Sequence, residues 1–140
     1  MITETSIRDI MTKNVVTISS TDTLWDVEQV FRINHLRHAP IYDNGEVVGM
    51  ISLVDLRKNF PLEEEVILAK DNADLTAASI MARNPVTLQS DQTVKEAALL
   101  FSENEFHAIP VLEGEDLVGI ISTTDIIRFL IDALDEMEEV

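Results

Sequence analysis

Sliding the sequence against itself by 70 positions brings Ile10-Met11 onto Ile80-Met81, Asn14 onto Asn84, Val16-Thr17 onto Val86-Thr87 and Phe31 onto Phe101. The register continues without a gap through Pro40 and Pro110, Gly49 and Gly119, Ile51-Ser52 and Ile121-Ser122, and Asp55 and Asp125. One half of the chain is therefore a copy of the other, and whatever fold one copy adopts the other must adopt too. Two copies at so long a period predict two similar lobes about a pseudo-two-fold axis, not an open superhelix. The expected division is a first copy over residues 1–60, an acidic connector over 61–75 whose part 61–73 holds a helical turn or two, and a second copy over 76–140 ending in an acidic helix.

Within each copy the local signals agree. Residues 15–18 and 85–88 are short β-branched or apolar runs, followed by the helix starts Thr23-x-x-Asp26 and Thr93-x-x-Glu96, both capping boxes. Leu24, Val27, Val30 and Phe31, like Val94, Ala97, Ala98 and Phe101, recur at helical spacing and predict one buried stripe apiece, with Trp25 off the stripe. Ala39–Tyr42, the turn Asp43-Asn44-Gly45 and Val47–Ile51 have the chemistry of a β-hairpin, repeated at Ile109–Leu112, Glu113-Gly114 and Leu117–Ile121. Second helices start near Leu53 and Thr123. Each copy thus reads β-α-β-β-α, preceded by a short helical piece around Ile7–Met11 or Ala77–Met81. Such an α/β (α+β) unit is too small to bury both faces alone, so the copies are expected to pack sheet against sheet.

Composition removes whole function classes. A chain of 140 residues with 46% hydrophobic content can bury a core without disulfides, and with no Cys it has neither thiolate zinc ligands nor sulfur redox chemistry. The longest apolar run, Ala97 to Phe101, is far short of a membrane span, and Glu4, Arg8 and Asp9 stand where a secretory segment would be apolar. A cytoplasmic protein outside the membrane is expected. The net charge of 10 − 26 = −16, with basic residues scattered singly except Arg57-Lys58, argues against nucleic acid as a partner. There is no nucleophile elbow, no Gly-rich phosphate loop and no His-x-x-x-His pair, and His35, His38 and His107 lack the carboxylate spacing of a metal site or triad. The reading is of a protein that is not an enzyme, without catalytic residues, bound metal or cofactor. The acidic tail Asp132–Glu139 reads as a solvated helix face.

The repeated motif Gly49-Met50-Ile51-Ser52-Leu53-Val54-Asp55, matched by Gly119-Ile120-Ile121-Ser122-Thr123-Thr124-Asp125, sits where a strand ends and a helix begins. Glycine admits close approach of a ligand or neighbouring backbone, serine supplies a hydroxyl at the helix start, and aspartate lies in the first turn near exposed N–H groups. Ser-x-x-Asp also meets the requirements of an ordinary helix cap, so capping and ligand binding are both open readings of these residues.

Taken together, Ile-Met, Val-Thr, a capped helix, x-x-Pro-Val/Ile, a turn and Val-Gly-x-Ile-Ser-x-x-Asp, given twice over roughly residues 6–60 and 76–134, resemble a tandem pair of cystathionine β-synthase (CBS) domains, a Bateman module. The resemblance implies a stand-alone regulatory module binding an adenosine compound, AMP, ADP, ATP or S-adenosylmethionine, in clefts between the copies, and signalling to a protein partner not named by the sequence. It further implies ribose recognition by Asp55 and Asp125 with Ser52 and Ser122. Arg37, His38, His107 and Arg128 become the candidate phosphate-binding residues, and Ser6, Met11, Thr17, Thr76, Met81 and Thr87 the adenine-side lining, although Met11 and Met81 serve equally well as core residues. Arg57 and Lys58 read as solvated. The first copy has Arg37-His38 where the second has His107-Ala108 with Glu105 nearby, so the two sites are expected to differ toward phosphate. The resemblance also implies a homodimer through apolar helix surface including Trp25, Phe129, Leu130 and Leu134. A ligand-free interaction scaffold and a Mg²⁺ sensor are the competing readings.

Overall fold

The computed structural model describes residues 4–59 and 75–139. The expected acidic connector lies outside the described residues except for Leu75. The chain forms two compact units that do not follow the order of the copies: one is Val16–Pro85, the other Met1–Val15 with Val86–Val140. Each unit therefore takes the opening segment of the opposite copy.

In the 16–85 unit, helix α1 (Leu24–Asn34) is followed by strands β1 (His38–Asp43) and β2 (Glu46–Ser52), helix α2 (Leu53–Asn59), the single-turn helix α3 (Ala77–Ile80) and strand β3 (Ala82–Arg83). The sheet order is β1-β2-β3, all antiparallel, and Ile18 adds a parallel bridge to Ile41. The other unit repeats this with a 3-10 turn (Ile7–Asp9), β4 (Leu88–Gln89), α4 (Val94–Glu103), β5 (Ala108–Glu113), β6 (Asp116–Ser122) and α5 (Thr123–Glu138). Here β4 runs parallel to β5, β5 antiparallel to β6, and Thr12 bridges Ile120 on the far side.

The local devices are those the sequence implies. Thr23 and Thr93 close reciprocal capping boxes with Asp26 and Glu96. Asn44 and Gly45 both take positive φ, 50° and 82°, which a two-residue hairpin turn of the primed type demands. The expected strands at 15–18 and 85–88 shrink to Ile18 and to Leu88–Gln89, because each meets only the edge of its hairpin and pairs there with a parallel partner. Leu24, Val27 and Phe31 are buried as the stripe predicts, joined by Ile41, Ile51 and Leu56; Ile109, Val111 and Ile121 anchor the matching core.

The exchanged segments are held by paired hydrogen bonds at equivalent places. Ile7 N–H donates to the Gln92 carbonyl and Ala77 N–H to the Asp22 carbonyl, each at 2.8 Å. Ile7 and Ala77 are wholly buried in the cores they join. Beyond them the chain crosses the hairpin at its glycine: a Cβ on Gly49 would lie 2.5 Å from Met81 Sδ and 2.9 Å from the Ala82 carbonyl oxygen, and Gly119 is crowded in the same way by Met11 and Thr12. These glycines thus serve close approach of a neighbouring segment, and Met11 and Met81 pack on the cores. Gly49→Ala is expected to cost about 1–3 kcal/mol through overpacking against a backbone oxygen, read as a lower urea midpoint.

The apolar helix surface differs from the expected one in two residues. Phe129 packs on the core of its unit and Trp25 is half-buried with a partner of its own. Leu130 and Leu134 are exposed as expected, and Ile127, Ile131 and Met137 join them in one stripe along α5, each between 49% and 65% exposed. The reason is helical phase: Ile126 and Phe129 point to the core, and the stripe lies on the adjoining flank.

Candidate functional site

Asp55 and Asp125 occupy the first turns of α2 and α5, each directly after the glycine-bearing second strand of its hairpin. Both are half-buried, and both close a capping box. Ser52 Oγ accepts from Asp55 N–H at 3.0 Å while Asp55 Oδ2 accepts from Ser52 N–H at 3.3 Å. In the other unit Ser122 Oγ accepts from Asp125 N–H at 3.2 Å, and Asp125 Oδ2 accepts from the Ser122 N–H and hydroxyl at 2.9 and 3.0 Å. All these bonds to carboxylate fall on Oδ2, and Oδ1 of each aspartate receives none from the described residues. Capping and ligand binding therefore make no conflicting demand: one oxygen orders the helix start, and the cap holds the other in a fixed direction.

The exchange of opening segments decides which candidates share a unit. With Asp55 and Ser52 stand Arg37, His38, Thr17, Thr76 and Met81; with Asp125 and Ser122 stand His107, Arg128, Thr87, Ser6 and Met11. Each set draws on both copies. Arg37 and His107 are tied to the aspartate-bearing helices through the backbone, since their carbonyls accept the first helical N–H, of Leu53 at 2.8 Å and of Thr123 at 3.0 Å. His38 opens β1 opposite Ser52 and is half-buried, whereas the side chains of Arg37, His107 and Arg128 are exposed. Thr76 and Ser6 precede the short helices and bridge Thr23 and Thr93, without side-chain caps. Thr17 and Thr87 are exposed. Among the described residues no group of three or more His, Asp or Glu is placed to hold a metal ion.

The expectation of a solvated Arg57 is corrected. Its guanidinium forks onto Glu28 of α1, Nη1 to Oε2 at 2.8 Å and Nη2 to Oε1 at 2.7 Å, and the Glu28 side chain is only 4% exposed. One half of this pair was legible, since Glu28 sits at Leu24 + 4, on the buried stripe, where an acid requires a partner. Its cation lies 29 residues away, a separation no local pattern reports. Arg57 also borders a cleft of about 300 Å³ at the α1/α2 junction, which Arg32, His35 and Arg37 share.

A CBS domain model matches residues 7–61 and again 77–138, nearly the whole chain. The chain belongs to the CBS-domain family. The CBS domain pair of the protein MJ0100, solved in complex with 5′-methylthioadenosine and S-adenosyl-L-methionine, superposes with a TM-score of 0.75 at 27% identity, covering 90% of this chain and 95% of that one. The CBS domain of a CBS domain-containing membrane protein from Sphaerobacter thermophilus gives 0.75 at 28% identity, over 91% of this chain and 89% of that one. An uncharacterised protein of Methanocaldococcus jannaschii is 28% identical over 123 residues, 87% of this CBS chain. The chain spans 38% of that relative's length. No described helix of this CBS pair is long and apolar enough to cross a membrane.

Proposed function

We propose that this CBS pair is a regulatory module that binds an adenosine compound, places the ribose hydroxyls on the open Oδ1 of Asp55 and Asp125, and passes its occupancy to a partner protein. The observation that carries the reading is the division of labour on each carboxylate: Oδ2 is held by the serine cap and Oδ1 is available. A carboxylate fixed in this way accepts from a diol with charge-assisted hydrogen bonds, as the acidic residue of dinucleotide folds does. The ligands of the MJ0100 pair, methylthioadenosine and S-adenosylmethionine, share the ribose diol and carry no phosphate. A net charge of −16 also favours a sulfonium-bearing ligand over a polyphosphate.

Thermal-shift measurements with S-adenosylmethionine, methylthioadenosine, AMP, ATP and Mg²⁺ test the class of ligand. At 100 times its Kd a ligand adds about 2.7 kcal/mol, a rise of several degrees for a protein of this size. A rise with an adenosine compound is the expected result; no rise with any of them favours the ligand-free scaffold, and a rise with Mg²⁺ alone favours the cation sensor.

The module also self-associates through α5. Its stripe of Ile127, Leu130, Ile131, Leu134 and Met137 has no cover among the described residues, and a second copy would bury it in a closed two-fold dimer. Sedimentation is expected to show a dimer at tens of micromolar, and Leu130→Lys with Leu134→Lys to shift it to monomer. A monomeric unmodified protein would contradict the dimer.

A further inference from the structure

The cleft at the α1/α2 junction gathers cations that neither ribose-side aspartate touches. Arg32, Arg37 and Arg57, three of the ten Lys and Arg residues of the chain, line one space of about 300 Å³ together with His35. Glu28 is the one acid in that lining, and the Arg57 fork matches its charge. With His35 neutral the lining carries 3 − 1 = +2, in a chain whose net charge is −16. A local reversal of sign on that background concentrates anions at one place.

The feature does not come with the repeat. At the positions 70 residues on, Glu28 becomes Ala98, Arg32 becomes Ser102, His35 becomes Glu105, Arg37 becomes His107 and Arg57 becomes Ile127. The second copy builds the same helices and the same hairpin without these cations, so the fold does not require them. Nor does the cleft belong to the aspartate. Leu53 and Arg57 line it from one face of α2, at i and i+4, while Asp55 lies about 200° around the helix axis from Leu53 and is absent from the lining. The fully buried Leu56 separates the two faces.

We propose that this cleft is an anion-binding site, specific to the first repeat, for a compact phosphate-type polyanion. Arg57 is committed to Glu28 and supplies the floor of positive charge. Arg32, exposed and bonded through one nitrogen to Gln29 Oε1 at 2.6 Å, and Arg37, exposed at the cleft edge, supply the forks that match phosphate oxygens. Leu36 and Leu53 make part of the wall apolar. A cleft of this volume is at the small end of ligand sites and suits a diphosphate-sized group. Its placement opposite Asp55 on α2 separates it from ribose recognition, while Arg37 is also a phosphate candidate of the adenosine reading, so the test sets Asp55→Asn beside the arginine variant.

The test is a titration of the full chain with inorganic pyrophosphate, followed by the amide and arginine Nε–H resonances. Saturable shifts centred on Arg32, His35, Arg37 and Arg57 are expected. The double variant Arg32→Gln/Arg37→Gln, at two exposed positions, should keep the fold and lower the affinity roughly tenfold or more. Asp55→Asn, on the opposite face, should leave the shifts in place. Absence of saturable shifts at millimolar pyrophosphate, an affinity unchanged in the double variant, or shifts centred on Ser52 and Asp55 instead would overturn the proposal.

Discussion

Arg57→Ala is expected to lower the stability of this CBS pair by about 2–4 kcal/mol, a large share of the roughly 5–15 kcal/mol that holds a domain of this size. The substitution leaves the Glu28 carboxylate, 4% exposed, without the fork that compensates its desolvation. The value lies below that for a fully buried pair because Arg57 itself is 30% exposed and water can reach the vacated space. The second copy indicates how the position runs without charge, since Ala98 and Ile127 stand where Glu28 and Arg57 do. Glu28→Ala combined with Arg57→Ile is therefore expected to fall within about 1 kcal/mol of the unmodified protein, well above the single variant. Urea unfolding of the three proteins separates the cases. A double variant as unstable as Arg57→Ala would show that the arginine acts through packing and not through the buried acid.

The same pair marks where sequence reasoning stops. Elements set by local chemistry were legible: the capping boxes at Thr23 and Thr93, the Asn44-Gly45 turn and the stripe through Leu24, Val27 and Phe31 each follow from residues within a few positions of one another. The repeat then doubled every signal. What depends on distant segments was not legible. Nothing near Ile7 says that it buries itself beside Leu88 and Val94 of the opposite copy, because an apolar residue is equally satisfied by either core. The glycines at 49 and 119 signalled a close approach without saying to what; the answer, Met81 and Met11, needs the exchange of segments. At the candidate site the Ser-x-x-Asp spacing left capping and ligand binding as alternatives, since spacing does not report how two carboxylate oxygens are used. The bonds to Oδ2 alone make the two roles compatible.

Asp55→Asn and Asp125→Asn put that compatibility to work. Asparagine keeps one oxygen for the serine N–H, so for the helix cap only the charge is lost, and each variant is expected to lose at most about 1 kcal/mol of stability through the helix dipole. The effect on an adenosine ligand is larger, because the second oxygen is replaced by an amide nitrogen that donates, and a charge-assisted bond to the ribose diol is lost. Affinity should fall roughly ten- to a hundredfold. The two variants need not respond alike toward a phosphorylated ligand, since Arg37 and His38 share the unit of Asp55 while His107 stands with Asp125. The larger loss with AMP is expected at Asp55. Calorimetric titration of S-adenosylmethionine into the unmodified protein and both variants tests the central claim most directly: a ten- to hundredfold weaker Kd in at least one variant, with its unfolding midpoint nearly unchanged, is the expected result, and an unchanged Kd in both would contradict ribose recognition by these carboxylates.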